Sequence, residues 1–293
     1  MMGKKLKWLA VTLCMGIFAA MALGSGSSDS GKDKDIAGVN NAASDAGEVT
    51  VAEQILYDQS DIKITATGLG DSLFGTELKL LIENNSGKNI TVQARNANVN
   101  GYMVSTMMSA DVASGKKAND SLTFETSGLK ECGIEKIAVM EFSFHIFDPE
   151  TFDTIMDTDV ITVKTSIADG YVQNYDDSGN VLVDSNGVKI IGKGLSASDS
   201  FWGPGLILYI ENNSDRNITV QVRDVSVNGF MAASTMSEDV LVGKKAISAV
   251  QFFSTDLEEN GITDITDVEL YFHIFDMESW DGIFDSDVIK VTF

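Results

Sequence analysis

Leu80-Leu81-Ile82-Glu83-Asn84-Asn85-Ser86-Gly87-Lys88-Asn89-Ile90-Thr91-Val92 decides the fold, because the chain writes it twice. It returns as Leu208-Tyr209-Ile210-Glu211-Asn212-Asn213-Ser214-Asp215-Arg216-Asn217-Ile218-Thr219-Val220, 128 residues later. Phe144-His145-Ile146-Phe147-Asp148 returns at the same offset as Phe272-His273-Ile274-Phe275-Asp276. The register holds without a gap from Leu78/Leu206 to Val163/Val291, and about half of those positions are identical. Repeat units of solenoids run to roughly 20–50 residues. A period of 128 is instead a duplicated domain, and the two copies serve as each other's control.

Within each copy the apolar period is two. Leu78, Leu80 and Ile82 alternate with polar neighbours, as do Ile90, Val92 and Ala94, and Met140, Phe142, Phe144 and Ile146. One face is buried and one wet, the pattern of antiparallel strands. Asn84–Lys88 and Asn212–Arg216 read as hairpin connections, and Asn100-Gly101 and Asn228-Gly229 as tight turns whose residues tolerate positive φ. Leu129–Ile134 and Leu257–Ile262 read as a helical turn stopped by glycine. The expectation is all-β: two tandem immunoglobulin-like antiparallel β-sandwich domains following a signal peptide and a flexible tether.

The N-terminus carries the signs of export. Lys4, Lys5 and Lys7 precede an uncharged apolar run, and Ala20-Met21-Ala22 suits signal-peptide cleavage. The expected organisation is a signal peptide at 1–22, a low-complexity tether at 23–50, repeat 1 at 51–166, a linker at 167–180 and repeat 2 at 181–293. Losing three lysines with the signal takes the net charge from −22 to about −25, which opposes nucleic acid and anionic membranes as partners. Any membrane association would pass through the N-terminus. Cys132 is the only cysteine beyond the signal segment and is Asn260 in the second copy, so no intrachain disulfide is expected.

These repeats resemble the immunoglobulin-like domains of uncharacterised Gram-positive bacterial exported lipoproteins. The likeness is carried by Leu80–Val92, Leu208–Val220 and the two Phe-His-Ile-Phe-Asp segments, after a Gly/Ser-rich start. Ser25 stands where such a lipoprotein has its lipidated cysteine. The resemblance implies fold and an extracytoplasmic, secreted or cell-surface location, and transfers no activity.

Two sets of residues are candidates for function. The first is a sheet face. If the His145 strand pairs with the Asn89–Arg95 strand, then Gln93, Arg95, Glu141 and His145 share it, as do Gln221, Arg223, Glu269 and His273. A cross-strand Arg–Glu pair with a hydrogen-bonded histidine is the expected arrangement. The second set is acidic: Asp148, Glu150, Asp153, Asp157 and Asp159, with Asp276, Glu278, Asp281, Asp285 and Asp287. These could ligate Ca²⁺. The favoured reading makes Asp148-Pro149-Glu150 a helix start, with Phe152, Ile155, Met156 and Trp280, Ile283, Phe284 as the buried face of a short helix plugging the sandwich. There is no Gly-x-Ser-x-Gly and only one histidine per copy, so no enzyme and no cofactor is expected. The expected role is a binding or cell-envelope module for an extracellular protein, glycan or cell-wall polymer. A calcium-stabilised stalk is the alternative.

Overall fold

The computed structural model describes residues 48–196 and 204–293. The expected signal peptide and nearly all of the tether, with Ser25, lie outside the described residues. All described strands fall in one compact unit, Gly47–Phe293.

Repeat 1 runs β1 (Gln54–Gln59), β2 (Ile62–Asp71), β3 (Gly75–Asn84), β4 (Ile90–Val99), β5 (Tyr102–Met103), β6 (Thr106–Met107), β7 (Ser109–Val112), β8 (Lys116–Glu125), α1 (Thr126–Glu131), β9 (Val139–Phe147), β10 (Thr154–Asp157) and β11 (Ile161–Lys164). Repeat 2 follows as β12 (Asn180–Ser185), β13 (Val188–Leu195), β14 (Gly205–Asn212), β15 (Ile218–Val227), β16 (Phe230–Met231), β17 (Ser234–Thr235), β18 (Ser237–Val240), β19 (Lys245–Phe252), α2 (Ser254–Glu259), β20 (Asp267–Asp276), β21 (Gly282–Asp285) and β22 (Ile289–Thr292).

The first sheet of repeat 1 has the order β1-β2-β3-β8-β6. Its second runs β10-β9-β4-β5, with β11 beside β9 and β7 beside β4. The period of two explains why they face each other. Ile64, Leu80, Ile82, Leu122 and Phe124 of one sheet and Val92, Phe142, Phe144 and Ile146 of the other form one buried cluster. Each such side chain removed from water stabilises the fold by about 1.5–3 kcal/mol. Repeat 2 encloses its own core, from Ile190, Leu208 and Ile210 to Val220, Phe272 and Ile274. Both repeats are immunoglobulin-like antiparallel sandwiches. In each, the Leu-x-x-x-Gly-Ile segment ends its helix as expected. Gly133 (φ 63°) and Gly261 (φ 67°) take the left-handed position, and Ile134 and Ile262 donate their N–H groups to Leu129 and Leu257, both at 2.8 Å.

Asn84–Lys88 is not a hairpin. β3 pairs with β2 and β8, whereas β4 pairs with β5, β7 and β9, so this connection crosses from one sheet to the other. The Asn84 side chain, 0% exposed, holds the crossing. Its Nδ2 donates to the carbonyls of Lys88 and Val112, both at 2.8 Å, and its Oδ1 accepts the N–H (3.0 Å) and hydroxyl (2.6 Å) of Ser86. Asn212 repeats every bond, to Arg216 (2.9 Å), Val240 (2.8 Å) and Ser214 (3.0 and 2.6 Å). The Asn-Asn-Ser signature therefore marks a stapled arch. By contrast, Asn100-Gly101 (φ 50° and 87°) and Asn228-Gly229 (φ 50° and 82°) are true hairpin turns.

The two sandwiches are joined edge to edge. The β4–β5 hairpin reaches β19, where Tyr102 pairs in parallel with Lys245 and the Lys245 N–H donates to the Gly101 carbonyl at 3.0 Å. This fuses the second sheet of repeat 1 with the first sheet of repeat 2 into eleven strands. Ile191 and Tyr209 of repeat 2 belong to the core cluster of repeat 1, and Met103 packs on the core of repeat 2. Glu141 pairs with Lys244 across the joint. The segment between the repeats packs here too: the Tyr175 hydroxyl donates to the Asn100 carbonyl at 2.8 Å, and its ring lies 5.3 Å from Tyr102 and 4.3 Å from the Lys245 ammonium. Cys132 is buried, and burial pushes its thiol up to about 12.

Two outcomes follow from these contacts. Asn84→Ala takes the Nδ2 donor from the buried Val112 bond and from the Lys88 carbonyl, which keeps the Ser86 hydroxyl at 3.2 Å, and we expect it to lower unfolding free energy by about 2 kcal/mol in urea titration. Asn212→Ala should match it. The second concerns Glu238 of β18, which stands where repeat 1 has the buried Ala110. Burial pushes its carboxyl from 4.5 up to about 7, with Ser248 donating to it, Asp239 adjacent and the Cys132 thiol facing it across the joint. The folded state therefore holds its proton more tightly than the unfolded chain does. That stabilisation is complete below pH 4.5 and is lost as pH rises to about 7. Glu238→Gln should raise stability at pH 8 by about 2 kcal/mol and flatten this part of the pH profile.

Candidate functional site

The strand pairing behind the expected sheet face is present. Gln93 stands opposite His145 and Arg95 opposite Ser143, as Gln221 does opposite His273 and Arg223 opposite Tyr271. The expected Arg–Glu pair does not form. Between Arg95 and Asn98 the register shifts, with Asn96 in the left-handed region (φ 56°), and Glu141 falls opposite Asn98. Its carboxylate goes instead to Lys244 of repeat 2. In the second copy Glu269 accepts from Lys290 at 2.9 Å and Arg223 donates to Gln221 at 2.7 Å. Gln93 and Gln221 donate to Ser109 and Ser237 at 3.3 and 3.2 Å. Glu141 thus belongs to the joint, while Arg95 and Arg223 remain exposed on the outer face.

The expected helix plug is absent, and this is the main correction. Asp148 does cap: its Oδ1 accepts the N–H groups of Glu150 (2.9 Å) and Thr151 (3.4 Å). An aspartate followed by proline starts a β-turn as readily as a helix, and here the turn does not propagate. Phe152 adopts φ 60° and its N–H closes onto the Asp148 carbonyl at 2.8 Å. The Asp148 N–H bonds the Asp153 carbonyl at 3.0 Å, and the chain reverses into β10, antiparallel to β9. Copy 2 does the same with Trp280 at φ 64° and the Trp280 N–H on Asp276 at 2.9 Å. Ile155, Met156, Ile283 and Phe284 are therefore strand residues, partly buried on the core.

Reversal brings two groups together that the sequence kept apart. Asp157 lands opposite His145, with Oδ1 2.5 Å from Nδ1, and Asp285 meets His273 at the same distance. The histidine ring then begins an aromatic ladder along the outer face. His145 stacks on Phe147 (5.2 Å between centroids) and Phe147 on Phe152 (6.2 Å). In repeat 2, His273 meets Phe275 at 5.3 Å and Phe275 stacks on Trp280 at 5.7 Å. The ladder ends in open solvent: Phe152 is 76% and Trp280 70% exposed.

The remaining acids serve the hairpin. The Asp276 carboxyl, bonded by the Ser279 and Glu278 N–H groups with Arg216 at 3.8 Å, is held below its usual range. Asp153 and Asp281 contribute backbone carbonyls to the turn, and those of Asp159 and Asp287 accept the Thr158 and Ser286 hydroxyls. Glu150 and Glu278 lie at the tip. Among the described residues, no group of three or more His, Cys, Asp or Glu stands together to hold a metal. A cleft of about 600 Å³ opens at the joint beside Tyr102, Cys132, Tyr171, Gln173 and Lys193. Its Cys132 is not kept in repeat 2, whereas the ladder is present in both repeats.

Sequence reasoning placed Phe152 and Trp280 on a buried helical face, and they are the functional candidates it missed. The available signal was an aromatic kept in both copies four residues after the capping aspartate. Left-handed backbone costs a side-chain-bearing residue about 1–2 kcal/mol, and an aromatic stack returns about 0.5–1.5 kcal/mol. Phe152→Gly and Trp280→Gly should therefore leave unfolding free energy within about 1 kcal/mol of the parent in urea titration.

No family model matches this chain. No curated protein matches it either. Among solved structures, the YadV chaperone is similar at 11% identity and TM-score 0.24, over 80% of this chain and all of that one. The Salmonella enterica SafA pilin in complex with the SafB chaperone is similar at 10% identity and TM-score 0.23, over 81% of this chain and 98% of that one. Superpositions this loose carry no residue across, and the functional reading rests on the geometry of this chain.

Proposed function

We propose that this chain is a non-catalytic extracytoplasmic binding module with two equivalent sites, each built on the exposed ring of a hairpin tip. One observation carries the reading: both copies hold an aromatic side chain in solvent, in left-handed backbone, at the end of a stacked ladder. A large ring kept exposed at a conformational cost contributes little to the fold, and a flat apolar face flanked by hydrogen-bonding groups suits a sugar ring. Glu150 and Glu278 stand ready to accept hydroxyls, and the Trp280 indole N–H can donate. The acidic chain favours an uncharged or cationic glycan over a polyanion. Two sites on one rigid pair of sandwiches match a polymer of repeating units, where a second contact raises avidity by roughly 10²–10⁴ if both sites reach it.

Co-sedimentation of residues 47–293 with an insoluble cell-wall polysaccharide fraction tests the proposal. The parent should be retained. Phe152→Gly and Trp280→Gly should each weaken retention by at least about tenfold, and the double variant should remain in solution. Retention of the double variant equal to the parent, or no retention of the parent, overturns it.

A further inference from the structure

The joint between the repeats has two halves, and duplication has left a second copy of each half open. The donating half is the hairpin Asn100-Gly101-Tyr102-Met103 with Glu141. The receiving half is the edge of β19 with Lys244, Lys245, Tyr209 and Ile247. Repeat 2 retains the donating half as Asn228-Gly229-Phe230-Met231 with Glu269, in the same left-handed turn (φ 50° and 82°). Tyr102 is buried in the joint, yet Phe230 is 50% and Met231 67% exposed. β16 pairs with β15 on one side only. Repeat 1 retains the receiving half as Lys116, Lys117 and Leu81 on β8 and β3. Its β8 edge is paired by β6 only at Thr123 and Phe124, leaving the Lys116–Asp120 edge without a neighbouring strand among the described residues.

We infer that a second copy of this chain fills these halves, the repeat 2 hairpin of one chain docking on the repeat 1 edge of the next. Continuity with the internal joint sets the geometry: Phe230 comes opposite Lys117 as Tyr102 is opposite Lys245. Charge agrees as well. Lys244 is neutralised by Glu141, whereas its counterpart Lys116 is exposed and has no ion pair among the described residues; Glu269 of the next chain, which also holds Lys290 at 2.9 Å, is the acid at the matching position. An unpaired strand edge is a ready template for such pairing. Because the two halves are different surfaces, the contact is heterologous and passes from one chain to the next.

The open halves are not a perfect copy, and the differences set the strength. Ile191, Tyr209 and Ile247 on the internal receiving face are Thr65, Leu81 and Asn119 in repeat 1. The contact between chains is thus less apolar than the joint within one, and association is reversible.

Sedimentation velocity on residues 47–293, the unit holding both cores, tests the inference. The parent should show a mass that rises with concentration. Phe230→Asp with Met231→Glu spoils the donating half, and Lys116→Glu the receiving half; all three positions are exposed, and unchanged melting confirms that each variant folds. Each variant alone should stay monomeric. Mixed, they should form pairs and stop there, since each keeps one intact half. A parent that is monomeric at every concentration overturns the inference. So does a Lys116→Glu variant that associates like the parent, which would indicate a symmetric contact between two hairpins.

Discussion

A buried asparagine side chain at the corner of each sandwich is the constraint on which the rest depends. Asn84 and Asn212 sit where the chain leaves one sheet for the other, each buried and tying a carbonyl of the arch to one at the end of β7 or β18. One amide supplies two donors and one carbonyl accepts two, so a single side chain satisfies both the arch and the incoming end of β7 or β18. The crossing then delivers Ile90 and Ile218 to the core and sets the register of β4 and β15. That register in turn puts His145 and His273 opposite Gln93 and Gln221.

The same corner geometry in both copies makes their differences informative. Where repeat 2 faces repeat 1, it is apolar at positions that are polar in repeat 1: Ile191 for Thr65 and Ile247 for Asn119. On that face the joint carries a continuous sheet, a tyrosine cluster and an ion pair. The same side holds Glu238, a carboxyl at the position where repeat 1 buries Ala110. With the joint closed on several sides, the two hairpin tips belong to one compact unit.

At those tips the backbone departs from the usual preference. A residue in left-handed backbone is ordinarily glycine or asparagine, and the turns at Asn100, Asn186 and Asn228 follow that preference. Phe152 and Trp280 do not. Their rings are supported from below by Phe147 and Phe275, which rest on the histidines that Asp157 and Asp285 hold in place.

Duplication, the all-β class and the inward residues of the long strands were legible from the sequence, because identity at a fixed offset and a period of two are local properties of the chain. Leu80, Val92, Phe142 and Phe144 are buried as their alternation requires. The glycine-stopped helices and the Asn-Gly hairpins were legible for the same reason, each being decided within six residues. The arch at Asn84 was not, since which sheet receives β4 depends on partners far along the chain. Nor was the hairpin at Asp148: aspartate-proline starts a helix and a turn alike, and only the open edge of β9, waiting for β10, selects the turn. That choice moved Phe152 and Trp280 from an expected core into solvent and Asp157 onto His145. Residue chemistry was set by the sequence alone; which residues share a face, an edge or a joint was decided by long-range strand pairing.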